Sequence, residues 1–251
     1  MSEEIVEVKG FRDYLNVYEF ETILPGTGQV VKFKPITTGQ LKKLLIYEKE
    51  ENPAKIEAAL DEMISSCVVS EDFNIGELYL QDRFFLLLEI RKKTKGNIHQ
   101  WQYTCPKCDS QSLQNFDLDD VPVNKKPEKF DDIVELNENI KVKMSYIIRK
   151  DQNRLMRTIN PNMSDLQYMT ELMILTHAHA IKSIITPEGE NKDVPDSEKK
   201  YLLENIPTGV YEKIRNWFTD NDFGADLSFD VICNNCEHKQ KIDVPVDDFF
   251  L

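Results

Sequence analysis

Apolar positions along the chain follow two rhythms, alternation and a three-to-four residue spacing, and these divide it into strands and helices. Residues 17–23 and 29–33 read as strands flanking Pro25-Gly26-Thr27-Gly28, a hairpin turn. Thr37 stands three residues before Gln40, a capping-box spacing that opens a helix through Leu41, Leu44 and Leu45. Asn52-Pro53 opens a second, with proline in the first turn, where its missing N–H costs nothing. Ile56, Ala59, Leu60, Met63, Ile64 and Cys67 form its apolar stripe. Asn74 and Glu77 are expected to open a third helix carrying Leu78, Phe84, Phe85, Leu87, Leu88 and Ile90. Arg91-Lys92-Lys93 followed by Gly96 is its stop.

Residues 99–123 turn to strand-like alternation around a cysteine pair, and Asn124-Lys125-Lys126-Pro127 reads as a connector. A second hairpin joins 133–136 to 140–146 across Asn137-Glu138-Asn139. Helices are expected near 152–159, from Ser164 (with Gln167 three later) to Ile185, and at 197–204 and 208–218. The polar stretch 187–195 reads as a mobile connector, and strands return around a second cysteine pair. The fold class is therefore α+β: a helical body with β-hairpins.

Charge narrows the function. Forty-four Asp and Glu against thirty-one Lys and Arg give a net charge of −13, which disfavours general nucleic-acid binding, since phosphate neutralisation needs clustered cations. No apolar run approaches the ~18 residues of a membrane helix. The start, MSEEIVEVKG, is acidic and has no apolar core, so the expectation is a chain without a secretory signal, kept in a reducing cytoplasm. Its cysteines are then thiols or metal ligands rather than disulfides.

Four of the five cysteines form two pairs, Cys105-Pro-Lys-Cys108 and Cys233-Asn-Asn-Cys236, in the pattern C-x2-C-x124-C-x2-C. A C-x-x-C knuckle offers two sulfurs from one tight turn, and two knuckles complete a tetrahedral zinc shell. The surroundings repeat. Tyr103-Thr104-Cys105-x-x-Cys108 leads to Phe116-Asp117-Leu118, and Val231-Ile232-Cys233-x-x-Cys236 leads to Ile242-Asp243-Val244, two residues shorter in the turn. Each unit reads strand, knuckle, turn, strand. Two such hairpins make a zinc ribbon, here split by an insertion whose ends must lie close together. The division is residues 1–98 as an N-terminal hairpin with helices, 99–123 and 227–251 as the split ribbon, and 124–226 as an inserted α+β lobe.

Four thiolates leave no open position, so the zinc is read as structural. An iron–sulfur cluster, redox pairs and plain thiols are the alternatives. His238 could in principle replace a sulfur, but the first unit has no matching histidine. Cys67 lies on an apolar helix face and reads as a core residue. His177 and His179 stand two apart, on different helix faces, unlike an i, i+4 metal pair. No nucleophile elbow, phosphate loop or dinucleotide fingerprint is present. Trp101, Trp217, Phe249 and Phe250 read as core or interface residues, and Phe249-Phe250-Leu251 as either a docking anchor or local core. The expectation is a non-enzyme without a small-molecule substrate.

Three stretches carry a family likeness. The run from Glu21 to Thr38 (ETILPGTGQVVKFKPITT), the segment Asp82-Arg83-Phe84-Phe85-Leu86-Leu87-Leu88-Glu89-Ile90-Arg91 leading to Gly96, and Phe223-Gly224-Ala225-Asp226-Leu227 with the paired C-x-x-C and the closing Phe249-Phe250 resemble baseplate hub proteins of T-even-type contractile-tailed phages. The resemblance implies a hub subunit or hub-assembly factor that works through surfaces, with other baseplate hub and tail proteins as partners. It would be assembled in the host cytoplasm and located in the virion tail baseplate. Its acidic surface could meet basic partners. The rival readings are a cytosolic zinc-ribbon adaptor of transcription or translation machinery, and a metal-dependent or redox enzyme.

Overall fold

The computed structural model describes residues 18–46, 50 and 52–243. Strands β1 (Phe20–Ile23) and β2 (Val30–Phe33) pair antiparallel, Phe20 opposite Phe33 and Ile23 opposite Val30. Alternation puts Val31 and Phe33 inward and leaves Val30 and Lys32 outside. Helix α1 (Thr38–Leu45) opens on the expected capping box of Thr37 and Gln40. Helix α2 (Pro53–Cys67) is capped by the Asn52 side chain, which accepts from the Ala54 N–H at 3.0 Å. Ala59, Met63, Ile64 and Cys67 are buried along one face, as their spacing requires. Burial pushes the Cys67 thiol up to about 11, consistent with an unreactive core residue.

The third helix starts later than the sequence suggests. Asn74 caps a single 3-10 turn, Ile75–Glu77, and α3 runs only from Leu80 to Lys95. The two residues between are extended because distant chain claims them: the Leu78 carbonyl accepts the Arg149 N–H at 2.8 Å, and Tyr79 bridges Ile148. At its far end α3 stops at Gly96, whose φ of 86° suits glycine.

Next come the hairpin β3 (Ile98–Thr104) and β4 (Gln111–Asp117) and short β5 (Val123–Asn124). A four-stranded antiparallel sheet follows, in the order β6 (Ile133–Glu135), β7 (Lys141–Met144), β8 (Ile181–Thr186), β9 (Gly189–Asn191). Helices α4 (Arg149–Met156) and α5 (Asp165–Ala180) lie between β7 and β8 in sequence. Two expectations are corrected here. The helix from Ser164 ends at Ala180 rather than Ile185, because Ile181–Thr186 pairs with β7, a placement that suits its β-branched residues. The stretch 187–195 is not wholly irregular, since Gly189–Asn191 adds an edge strand. Helices α6 (Asp196–Asn205) and α7 (Thr208–Asp220), short β10 (Gly224–Ala225) and the hairpin β11 (Ser228–Ile232) and β12 (Lys239–Asp243) complete the order.

Two apolar clusters hold these elements. One gathers Leu24, Phe33, Ile64, Leu88 and Tyr103 with Leu227, Val231 and Cys233, so it draws on chain from both sides of 124–226. The other, with Val142, Met144, Ile181, Leu203, Ile214 and Trp217, lies wholly inside that stretch. β5 pairs antiparallel with β10, setting Asn124 opposite Gly224. Among the described residues, no helix is long and apolar enough to cross a membrane. Phe249-Phe250-Leu251 lies outside the described residues.

Candidate metal centre

Both cysteine pairs sit at the tips of hairpins built alike. In the first, the Cys105 N–H donates to the Ser110 carbonyl at 3.0 Å and the Asp109 N–H to the Cys105 carbonyl at 2.9 Å. In the second, the Cys233 N–H donates to the His238 carbonyl at 2.9 Å and the Glu237 N–H to the Cys233 carbonyl at 2.9 Å. Asp109 and Glu237, each four residues after its first cysteine, are left-handed at φ 54° and 55°. The turns are thus equal in length, since Thr104 pairs with Gln111 as Ile232 pairs with Lys239. This corrects the two-residue difference read from the sequence. Asp243 is the counterpart of Asn115, not of Asp117; a shift of two preserves strand parity, so the apolar-Asp-apolar motifs seemed to align.

The hairpins face each other. The Phe116 and Phe229 rings lie 4.5 Å apart, and the Tyr103 hydroxyl donates to the Gln240 side-chain oxygen at 3.3 Å. This brings Cys105 Sγ to 3.7 Å from Cys236 Sγ and Cys108 Sγ to 3.7 Å from Cys233 Sγ. All four sulfurs lie within 4.8 Å of one another. Four sulfurs each ~2.3 Å from a central zinc would stand about 3.8 Å apart. A disulfide needs ~2.05 Å, and all four thiols are free. Cys105 and Cys233 are buried, Cys108 and Cys236 half-buried.

Donors around the sulfurs favour thiolate. Ser110 Oγ lies 3.2 Å from both Cys108 and Cys233 Sγ, and Asn235 Nδ2 donates to Cys108 Sγ at 3.5 Å. Ser110 and Asn235 hold the Cys108 thiol down to about 5, and Ser110 with the Asn235 and Cys236 N–H groups lowers Cys233. Cys236 is pushed up to about 12: the His238 N–H favours its charge, but desolvation and the neighbouring sulfurs outweigh it. Thiolates crowded this closely cannot all ionise without a cation between them. Ser110 and Asn235 escaped the sequence reading. The only signal was adjacency to a knuckle for Ser110 and a place inside one for Asn235.

The histidines do not join this cluster. His177 stacks on Phe218 at 4.5 Å, with Nδ1 2.8 Å from the Tyr211 hydroxyl. His179 Nδ1 lies 2.7 Å from Asp196 Oδ2 and Nε2 3.4 Å from Asp151 Oδ2. Trp217 is buried in the second cluster, and Trp101 packs at the edge of the first.

A separate meeting point joins the three stretches that carried the family likeness. Asp82, fully buried, accepts the Gly26 and Thr27 N–H groups at 2.6 and 3.0 Å. Phe223 sets its ring edge-on to Tyr79 and Tyr146, and Gly224 lies against Gln81. Beside them is a buried ion network. Asp61 Oδ1 takes Arg83 Nε at 2.6 Å and its Oδ2 takes Arg149 Nε at 2.8 Å, while Glu57 Oε2 meets both guanidinium groups at 2.9 and 2.8 Å. α2 and α3 thereby grip α4.

A family model described as T4 bacteriophage base plate protein matches residues 16–251. No curated protein and no solved structure matches the chain.

Proposed function

Because the chain belongs to the T4 bacteriophage base plate protein family, a family of the virion tail baseplate, we propose that it is a non-enzymatic structural or assembly subunit of the baseplate hub. In it, Cys105, Cys108, Cys233 and Cys236 hold one structural zinc ion. The observation that carries the zinc is the convergence of four sulfurs within 4.8 Å, from two knuckles of the same backbone geometry. So tight a set favours a single ion over an iron–sulfur cluster, whose irons spread their cysteines around a larger body. No fifth His, Cys, Asp or Glu joins the set among the described residues, which suits a closed structural site rather than a catalytic one.

On this reading, 99–123 and 227–251 are halves of one ribbon, 124–226 is a lobe inserted between them, and residues 1–98 form the N-terminal unit. The pairing of β5 with β10 supports it by holding the two ends of 124–226 side by side. Partners are other hub and tail proteins, met through surfaces. The family match favours this over a transcription or translation adaptor, and the net charge of −13 favours protein over nucleic-acid partners.

Metal analysis of the purified chain should find one zinc per molecule in a colourless sample, and Cys105→Ser should lose it. A brown sample, or a metal-free protein of undiminished stability, would overturn the zinc. Pull-down from infected cells should recover tail hub proteins. Recovery of ribosomes or RNA polymerase instead would overturn the hub. Mass spectrometry of finished particles then separates a virion subunit from an assembly factor.

A further inference from the structure

A cleft of about 410 Å3 lies between the start of α2 and the α4–α5 connection, apart from the cysteines; its Asn153 donates to Asp61 Oδ2 at 3.0 Å, so one wall touches the buried network. Met156 and Ile159, both buried, contribute apolar wall, and Asn52, Lys55, Arg157 and Tyr168 contribute polar groups. One feature is unexplained by the fold, and an unpaired cation stands beside it. Tyr168 is 3% exposed, yet its hydroxyl finds no hydrogen-bond partner. Buried hydroxyls are rarely left so. Arg157, exposed at the end of α4, has neither an ion pair nor a side-chain hydrogen bond among the described residues. Lys55 pairs with Glu50 Oε2 at 3.0 Å, so a carboxylate already sits against one of the cleft's cations. The Asn52 side-chain oxygen is spent on the α2 cap, which leaves its NH2 as donor.

We propose that this cleft receives a carboxylate-bearing segment of a neighbouring protein. The carboxylate pairs with Arg157 and accepts from the Tyr168 hydroxyl, and an adjacent apolar side chain lies on Met156 and Ile159. Charge complementarity selects this occupant. Lys55 is already paired with Glu50, so Arg157 is the lining cation left without a carboxylate among the described residues, and its charge beside the unused Tyr168 hydroxyl is where an acidic segment can land. The inference stands on the cleft and not on the metal or the hub assignment.

The test uses the full chain carrying 13C-labelled methionine methyls, with Met156 assigned by Met156→Leu, and the probe acetyl-Leu-Glu-Leu-Glu-amide. The Glu peptide should shift the Met156 methyl saturably and leave Met144, buried in the second cluster, unmoved. Its Gln counterpart should not. Arg157→Glu should weaken binding about tenfold or more at unchanged melting temperature, and Tyr168→Phe should weaken it severalfold. Three results would each overturn the proposal: no Met156 shift up to millimolar peptide, an equal shift with the Gln peptide, or inorganic phosphate binding as well as the Glu peptide.

Discussion

Gly26→Ala tests whether the turn between β1 and β2 is fixed by contact rather than by backbone conformation. A Cβ at Gly26 would lie 2.5 Å from a Phe223 ring carbon, 2.8 Å from Asp82 Oδ2 and 2.8 Å from a Tyr79 ring carbon. Carbon atoms in contact normally stand about 3.5–4.0 Å apart. None of the three neighbours can yield cheaply. Asp82 is fully buried and bonded to the Gly26 and Thr27 N–H groups, and Phe223 is wedged edge-on against Tyr79 and Tyr146. Overpacking costs about 1–3 kcal/mol. Lifting the turn to relieve it weakens bonds to a buried carboxylate, about 1.5–3 kcal/mol more. The expected loss is about 3–5 kcal/mol. At roughly 2 °C per kcal/mol for a chain of 251 residues, the melting temperature should fall by about 6–10 °C in calorimetry. Gly28 is the control: its φ is +70° and nothing lies within 4 Å of its Cβ position, so Gly28→Ala meets only the left-handed backbone penalty, about 1–2 kcal/mol. Adding Phe223→Leu to Gly26→Ala should recover part of the loss, giving a coupling above about 0.5 kcal/mol. The reasoning fails if Gly26→Ala costs less than Gly28→Ala, or if the Gly26 and Phe223 changes simply add.

Burial, and then the charge of Arg215, push His177 down to about 4. The unfolded chain protonates near pH 6.5, so the native state's preference for neutral imidazole stabilises it fully above that pH. That contribution, about 3 kcal/mol, drains away as pH falls from ~6.5 towards ~4. Urea unfolding at pH 7 and 4.5 should show His177→Phe losing that part of the acid sensitivity; equal sensitivity would refute the assignment. Asp61→Asn should cost about 3–5 kcal/mol in denaturant unfolding, because it leaves Arg149, with no exposed surface, partly unpaired. Lys150→Gln, which breaks an exposed pair with Glu77, should stay within about 1 kcal/mol. Chelation should remove about 2.7–4.1 kcal/mol if free zinc stands at ~100–1,000 times its dissociation constant, a fall of about 5–8 °C. Amide exchange should then rise first in β3–β4 and β11–β12, and an unchanged melting temperature would count against a bound metal.

What could be read from the residues was whatever local chemistry decides. Thr37 with Gln40, Ser164 with Gln167 and Asn52-Pro53 mark helix starts because each cap is closed within three residues. The cysteine set stood out because a knuckle is a local motif even when its partner is remote. What escaped depended on distant chain. Leu78 and Tyr79 look like the first turn of a helix until Ile148 and Arg149 engage them. The run Ile181-Lys-Ser-Ile-Ile-Thr suits either period, and the register offered by β7 decides it. Nothing local in the sequence marks Arg149, yet it is the largest fully buried side chain among the described residues, because Asp61 waits 88 residues earlier. Ser110 touches Cys108 of its own hairpin, but it reaches Cys233 only once the second hairpin faces the first.

The six residues from Leu78 to Arg83 explain why so much charge is buried between parts that could have met through apolar surface. Leu78 is held by the Arg149 N–H, Tyr79 by Ile148, Gln81 by the Asp222 carboxylate at 3.3 Å, Asp82 by the β1–β2 turn, and Arg83 by Asp61 and Glu57. Two separate parts of 124–226, at Ile148–Arg149 and at Asp222, therefore close on one short segment, together with the N-terminal hairpin and α2. Apolar contacts alone would tolerate a slide of one part over another. Directional bonds to a carbonyl, two turn amides and three carboxylates admit a single register. Buried ion pairs add little net stability, and their attested use is to fix an arrangement. That trade suits a baseplate-family protein whose parts must hold one arrangement.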